Sequence, residues 1–164
     1  MKSSFLNYLK QNNFPIIDLK AVLFDMDGVL YDSMPAHDVS WRETMDELKL
    51  EYHPNEFYLQ EGRVGKWTLD LIFQRNLGRD ATREEEENIY ARKSELFQQY
   101  NEGNTMPGAR EALEYVKGEG LTPVLVTGSG QPSLLNKLDS HFPGAFTPDT
   151  MVTAFDVKYG KPNP

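Results

Sequence analysis

Two short apolar runs, AVLF (Ala21 to Phe24) and LTPVLVT (Leu121 to Thr127), each break off at a polar residue. This punctuation constrains the fold more than any other feature. Runs this short, rich in β-branched residues, read as strands. Between them and after them lie patterns of helical period. AREALEYVKGEG (Ala109 to Gly120) ends on Gly118 and Gly120, and QPSLLNKLDSHF (Gln131 to Phe142) opens with Pro132 near its first turn. MVTAF (Met151 to Phe155) reads as a third short strand. Strands alternating with helices make a parallel sheet with helical crossovers. Ala21 to Phe24 is expected to be covered on both faces, as parallel strands are, and Pro123 is tolerable only at the start of its strand. Residues 1–19 read as a helical or irregular lead-in closed by Pro15.

From Met34 to about Asn104 the pattern is helical throughout. HDVSWRETMDELKL places Val39, Trp41, Met45 and Leu48 near helical spacing, and GKWTLDLIFQRNLG puts Leu69, Ile72 and Phe73 on one face before Gly78. TREEEENIYARKSELFQQY begins with Thr82 three residues before Glu85, a capping-box pattern. Trp41, Phe73, Phe97 and Tyr100 are expected in the core of this block. The fold class is therefore α/β: a Rossmann-like parallel sheet core, of which three strands are present, with an inserted all-helical cap. The core takes residues 1–33 and 105–164, and the cap residues 34–104.

The 164 residues carry a net charge of -8, which argues against nucleic acid and anionic membrane as partners. It also requires that any anionic substrate be held by a local device. There is no cysteine, so thiolate chemistry and disulfides are excluded. Nothing at the N-terminus reads as a signal peptide, and no stretch approaches transmembrane length; a cytoplasmic location is the expectation.

Ligands of open α/β sheets bind at the carboxyl ends of the strands. Those ends carry Asp25 and Asp27 after the first strand, Thr127 after the second and Lys161 shortly after the third. Two adjacent carboxylates need a cation or a proton to relieve their repulsion. Magnesium suits such hard oxygen donors. An anion docked there would meet the Lys161 ammonium, the Thr127 hydroxyl and backbone N–H groups that Gly128 and Gly130 let approach closely. That is the electrostatic frame of phosphoryl transfer, in which one carboxylate attacks phosphorus and its neighbour handles the proton. A calcium loop is excluded, because it needs an oxygen ligand where Val29 stands and glycine where Leu30 stands.

DMDGVL (Asp25, Asp27), VLVTGSG (Thr127) and YGKPNP (Lys161) together resemble the first three motifs of the haloacid dehalogenase superfamily. The likeness spans Lys20 to Pro164. DMDGVLYDSMPAH, EGRVG and TGSG most resemble the β-phosphoglucomutase-like subgroup of mutases and small phosphatases. The resemblance implies that Asp25 is the nucleophile, forming an aspartyl-phosphate, and a Mg²⁺ ligand. It implies that Asp27 is the acid and base, giving Mg²⁺ its backbone carbonyl. The expected substrate is a small phosphorylated metabolite or pyrophosphate. Gly128 and Ser129 of the second motif would contact it. A hexose-phosphate mutase is the alternative within enzymes, and a silent binding module the alternative outside them. The family's fourth, acidic motif and two further strands have no counterpart here. The expectation is a fragment of a longer protein that is incomplete for activity alone, with an apolar edge on its first strand.

Four further residues are candidates for substrate contact. His37 lies where the mutases carry a histidine facing the active site; packing beside Trp41 is the competing reading. Glu61, Arg63 and Lys66 lie in QEGRVGKW, a loop that in this subgroup reaches from cap to core. Arg63 or Lys66 would meet a distal anionic group, unless both are loop charges in water. Glu61, near a phosphate site, would disfavour bulky anions unless it hydrogen-bonds or meets the metal.

Overall fold

A computed structural model describes residues 2–14, 18–161 and 163. Pro15, expected to close the lead-in, and Pro162 and Pro164 of the third motif lie outside them. After a helix α1 (Lys2–Gln11), strands β1 (Ala21–Phe24), β2 (Thr122–Val126) and β3 (Met151–Val152) form one parallel sheet in the order β1-β2-β3. Ala21 aligns with Thr122 and Phe24 with Leu125, while Leu125 aligns with Met151, so the three carboxyl ends share one rim. Pro123 costs nothing in this ladder. Thr122 donates its N–H toward Lys20 and Thr127 toward Val152, so odd-numbered amides of β2 face β3, whose pairing begins only at Leu125.

One face of the sheet is covered. Helices α6 (Ala109–Gly118), α7 (Pro132–Leu135) and α8 (Leu138–His141) bury Leu113, Val116, Leu134 and Leu138 against Phe24, Leu125 and Met26. The other face is not, which corrects the expectation for β1: Leu23 is 66% exposed. Side chains alternate along a strand, so Leu23, Val124, Val126 and Val152 share the face that no described helix covers. Two further expectations change. The third strand is only Met151–Val152, because Thr153 donates both its N–H and its hydroxyl to Asp156 Oδ2, each at 2.8 Å, and turns the chain. The run from Gln131 to Phe142 is two single-turn helices instead of one, with a tighter Lys137-to-Leu134 hydrogen bond between them.

The helical insert comprises α2 (Met34–Leu48), α3 (Glu56–Leu59), α4 (Gly65–Leu77) and α5 (Arg83–Tyr100). Its own core gathers Trp41, Met45, Phe57, Leu69, Ile72, Phe73, Ala81 and Ile89. The Thr82–Glu85 capping box forms in both directions, and Gly78 ends α4 at φ +69°. The buried face of α2 differs from the one its hydropathy suggested. Val39 and Leu48 are exposed, whereas Ser40 and Thr44 are buried, each hydroxyl donating to the carbonyl four residues back. Small side chains that satisfy themselves in this way let α2 pack closely on α5. Tyr100, expected in the core, is exposed and donates to Glu43, and Phe97 joins the sheet-side core instead. The two crossings between insert and sheet run side by side, Asp32 N–H to Asn104 O and Met106 N–H to Leu30 O, both at 2.9 Å. No described helix is long and apolar enough to cross a membrane.

Candidate active site

Asp25 is the first residue beyond β1. Its Oδ1 accepts the N–H of Met26 at 2.8 Å, and its Oδ2 accepts Lys161 Nζ at 2.6 Å across 136 residues of sequence. Lys161 also donates to Val126 O at 3.3 Å, so the ammonium bridges the ends of β1 and β2. Thr127, 4% exposed, donates its amide to Val152 and accepts the Ser129 N–H on Oγ1 at 3.0 Å, which folds the TGSG loop around the strand end. Three of the four residues expected to carry the chemistry, Asp25, Thr127 and Lys161, thus lie on the rim.

Asp27 is held apart from its neighbour. Buried Met26 and Leu30 anchor a tight turn in which Gly28, at φ +72°, donates to Tyr31 O. The turn sends the Asp27 carboxyl under the insert. There Oδ1 accepts Ser33 Oγ at 2.5 Å and His37 Nε2 at 3.0 Å. Burial by itself would raise the Asp27 pKa, but hydrogen bonds from His37, Ser33 and Ser129 outweigh it and hold the carboxyl below its usual range. Asp27 Oδ2 has no hydrogen-bond partner among the described residues.

His37 passes the contact on. Its Nδ1 lies 2.7 Å from Lys93 Nζ and its ring packs on Phe97. With the lysine donating to Nδ1, the proton on Nε2 faces Asp27. His37 is buried, with its ring packed on Phe97 and its Nε2 at Asp27. Lys93 is 1% exposed, and desolvation lowers its pKa to about 8. It escaped the sequence reading. Its signal was a lysine in the apolar stripe Ile89, Lys93, Leu96 and Phe97, where a charge has no reason to be unless it is used.

The loop from Gln60 to Val64 closes over these groups. A Cβ on Gly128 would stand 2.5 Å from Gly62 O, and one on Gly62 would stand 3.7 Å from Lys161 Nζ and 4.0 Å from Asp25 Oδ2. Glycine at 128 is what lets the two backbones meet, whereas Gly62 is called for by its left-handed turn at φ +81°. Glu61 faces Asp27 and His37 across a small cavity; desolvation raises its pKa, with His37 opposing and the two aspartates adding to the rise. Arg63 borders the same cavity with its guanidinium stacked 4.0 Å over Trp67. Lys66 is not brought in: Asp70 at 2.8 Å and Glu86 at 3.8 Å hold it on the helical insert. Ser129 is 8% exposed and lines the cavity beside Gly128.

The donor set suits magnesium in kind. The Asp25 carboxylate and the Asp27 backbone carbonyl are hard oxygens on one turn, but no group of three or more acidic or histidine side chains gathers among the described residues. Magnesium keeps several waters and is satisfied with few protein ligands.

A sequence model of the haloacid dehalogenase-like hydrolases matches residues 19–164. The chain belongs to that family. Among solved structures, it is similar to a Bacteroides vulgatus protein provisionally named a beta-phosphoglucomutase. The two share 51% identity and a TM-score of 0.89 over 99% of this chain and 66% of that one. Among curated proteins, it is 28% identical to a phosphorylated carbohydrates phosphatase of Thermotoga maritima, over 89% of this chain and 66% of the relative. It is 30% identical to hexitol phosphatase B of Escherichia coli K12, over 88% and 64%. The chain of this haloacid dehalogenase-like hydrolase therefore spans a little under two thirds of the length of the curated relatives it matches.

Proposed function

We propose that this chain carries the phosphoryl-transfer site of a magnesium-dependent phosphohydrolase acting on phosphorylated carbohydrates, with residues 34–104 serving as a cap over the core. The observation that carries the reading is the Lys161–Asp25 contact at 2.6 Å, beside Thr127 and the TGSG backbone. A lysine and a strand-end hydroxyl poised on one carboxylate are a receptor for an anion that the carboxylate can attack.

In this reading Asp25 attacks phosphorus and the bond to the sugar oxygen breaks. Lys161 offsets the carboxylate's charge so that the dianion can approach, and Thr127 with nearby N–H groups holds the phosphoryl oxygens. Asp27 gives the leaving oxygen its proton, then takes one from water. In the structure Asp27 is held ionised, ready as a base; a phosphate beside it raises its affinity for a proton and so prepares its first role. His37 and Lys93 orient it. Bound magnesium, held by Asp25 and the Asp27 carbonyl, would neutralise charge developing on the phosphoryl oxygens. The names of the relatives support sugar and hexitol phosphates; none supports pyrophosphate.

The test is covalent capture. The chain, treated with acetyl phosphate and Mg²⁺, should gain one phosphoryl group detectable by intact mass, and Asp25→Asn should gain none. A wild-type chain that never gains the adduct would sink the reading. The Bacteroides vulgatus likeness and the close seam at Gly128 favour a mutase as the second reading. It predicts that the phosphorylated chain returns its phosphoryl group to an added sugar phosphate, with little free phosphate.

A further inference from the structure

A second cavity lies in the helical insert, in the groove between α2 and α3. Its volume is about 280 Å³, and Asp38, Arg42, Tyr52, His53, Asn55 and Phe57 line it. That is near the lower end of small-molecule pockets, about 300 Å³, and suits a ligand the size of one monosaccharide. The guanidinium and the carboxylate in the lining are paired with each other, Arg42 with Asp38 at 3.6 Å. An ionised ligand would therefore find no surplus charge. The groove offers hydrogen bonds instead, from that pair, the Tyr52 hydroxyl, the His53 imidazole and the Asn55 amide. Asn55 opens α3 at φ +60° and its side chain makes no cap hydrogen bond, which leaves the amide to a ligand. The turn beneath is preformed, because the Glu56 carboxylate accepts the His53 N–H at 2.8 Å and both prongs of Arg75. The rings of Tyr52 and Phe57, with centroids 5.4 Å apart, supply an apolar wall for C–H groups. Hydroxyls on an uncharged carbon skeleton match such a surface. Phe57 also ties the groove to the active site. It borders both this groove and the cavity of about 30 Å³ at Asp27. It is 4% exposed and stacks on Trp41 at 5.8 Å, and Lys93 Nζ lies 5.5 Å from the Trp41 ring. Its helix runs straight into the closing loop, Gln60 to Val64.

We propose that the α2–α3 groove binds an uncharged polyol, a free sugar or sugar alcohol, apart from the catalytic residues, and that its occupant holds the closing loop down through Phe57. Such a polyol is what the proposed hydrolysis of a phosphorylated carbohydrate releases, so the regulatory use of the groove rests on that reading. A ligand favours the arrangement to which it binds. This groove exists with Phe57 seated on Trp41 and α3 in place. In that arrangement Gly62 lies against Lys161 and Asp25, and the space left at Asp27 is far too small for a sugar phosphate. A polyol in the groove therefore delays entry of the next substrate, and turnover slows as product accumulates.

The experiment reads binding and loop position without relying on turnover. The 164-residue chain is titrated with D-glucitol while tryptophan fluorescence is followed, Trp41 being the reporter beside Phe57. A saturable change with a midpoint in the millimolar range is expected, and saturating glucitol should slow tryptic cleavage after Arg63 several-fold. Arg42→Met keeps the stem and removes the guanidinium; Asn55→Gly keeps the positive φ and removes the amide. Each should weaken glucitol binding about tenfold, the effect of one lost hydrogen bond to a polar or charged group. Each should also gain the acetyl phosphate adduct at the wild-type rate, which shows that it is folded. A fluorescence change that never saturates, or one equally strong in both variants, overturns the proposal, because the effect then belongs to the solvent or to the catalytic site. Saturable binding that leaves cleavage after Arg63 unchanged overturns it too. A wild-type chain that gains the adduct and binds no glucitol removes this proposal and leaves the phosphotransfer reading intact. A chain that binds glucitol in the expected way but takes up no phosphoryl group supports the groove and removes the phosphotransfer reading.

Discussion

Replacing Lys93 by methionine should make the protein more stable and less useful. The ammonium is 1% exposed, and its pKa stands at about 8 where a free lysine has 10.5. Desolvation drives the fall, against the attraction of Asp27 and Glu61. A base whose pKa drops on folding binds fewer protons folded than unfolded between those two values. Stability therefore rises with pH from about 8 to 10.5, and the penalty is fully present below about 8. At about 1.4 kcal/mol per pH unit the gap corresponds to roughly 3 kcal/mol. Removing the ammonium also removes a hydrogen bond to His37, worth about 1 kcal/mol. The net expectation is a gain of about 2 kcal/mol for Lys93→Met near pH 7. Urea denaturation followed by circular dichroism at pH 7 and pH 9.5 reads it directly. The variant's advantage should shrink by about 2 kcal/mol across that interval, as the wild type sheds its buried proton. A variant less stable than wild type at pH 7, or an advantage that stays constant with pH, would refute the reasoning. Phosphoryl transfer should suffer at the same time, since His37 would lose the donor that fixes its tautomer. A destabilising group kept at a functional site is the usual trade between stability and activity.

Two other expectations follow from the helical insert and its seam. Arg75→Ala leaves the Glu56 carboxylate, 4% exposed, with only the His53 N–H in place of its two-pronged partner at 2.6 and 2.7 Å. Discounted for the partial exposure of Arg75, the cost should be about 2 kcal/mol at pH 7. The Arg75 hydrogen bond is the main reason the Glu56 pKa is lowered. The pair's contribution is therefore present above the ordinary carboxyl pKa and lost as pH falls through the lowered one, so urea midpoints of wild type and variant should converge in acid. Gly128→Ala drives a methyl group to 2.5 Å from Gly62 O and should lift the closing loop, speeding tryptic cleavage after Arg63 several-fold. Unchanged cleavage would mean that close backbone approach does not hold the seam.

Much of the site could be read along the chain because strand ends are local events. An apolar run that stops at Asp25 or Thr127 reports its own end, and parallel topology brings such ends to one rim whatever the packing details. Capping signals were equally local, as Thr82 with Glu85 and Gly78 show. The faces of helices were less legible. Val39 and Leu48 looked buried and are exposed, because α2 meets α5 through Ser40 and Thr44, and hydropathy cannot see a hydroxyl that bonds its own helix.

What the amino-acid order determined alone was the sheet, the run of helices between its first two strands and the polar residues Asp25 and Thr127 at the strand ends, since each follows from periodicity or from where a strand stops. Only the tertiary structure decided that Asp27 is tied through His37 to a buried Lys93, that Lys66 is drawn away by Asp70 and Glu86, and that Gln60 and Ser129 face one small cavity. Those outcomes depend on which helix lies against which, and that is set by the packing of surfaces distant in sequence rather than by any local pattern.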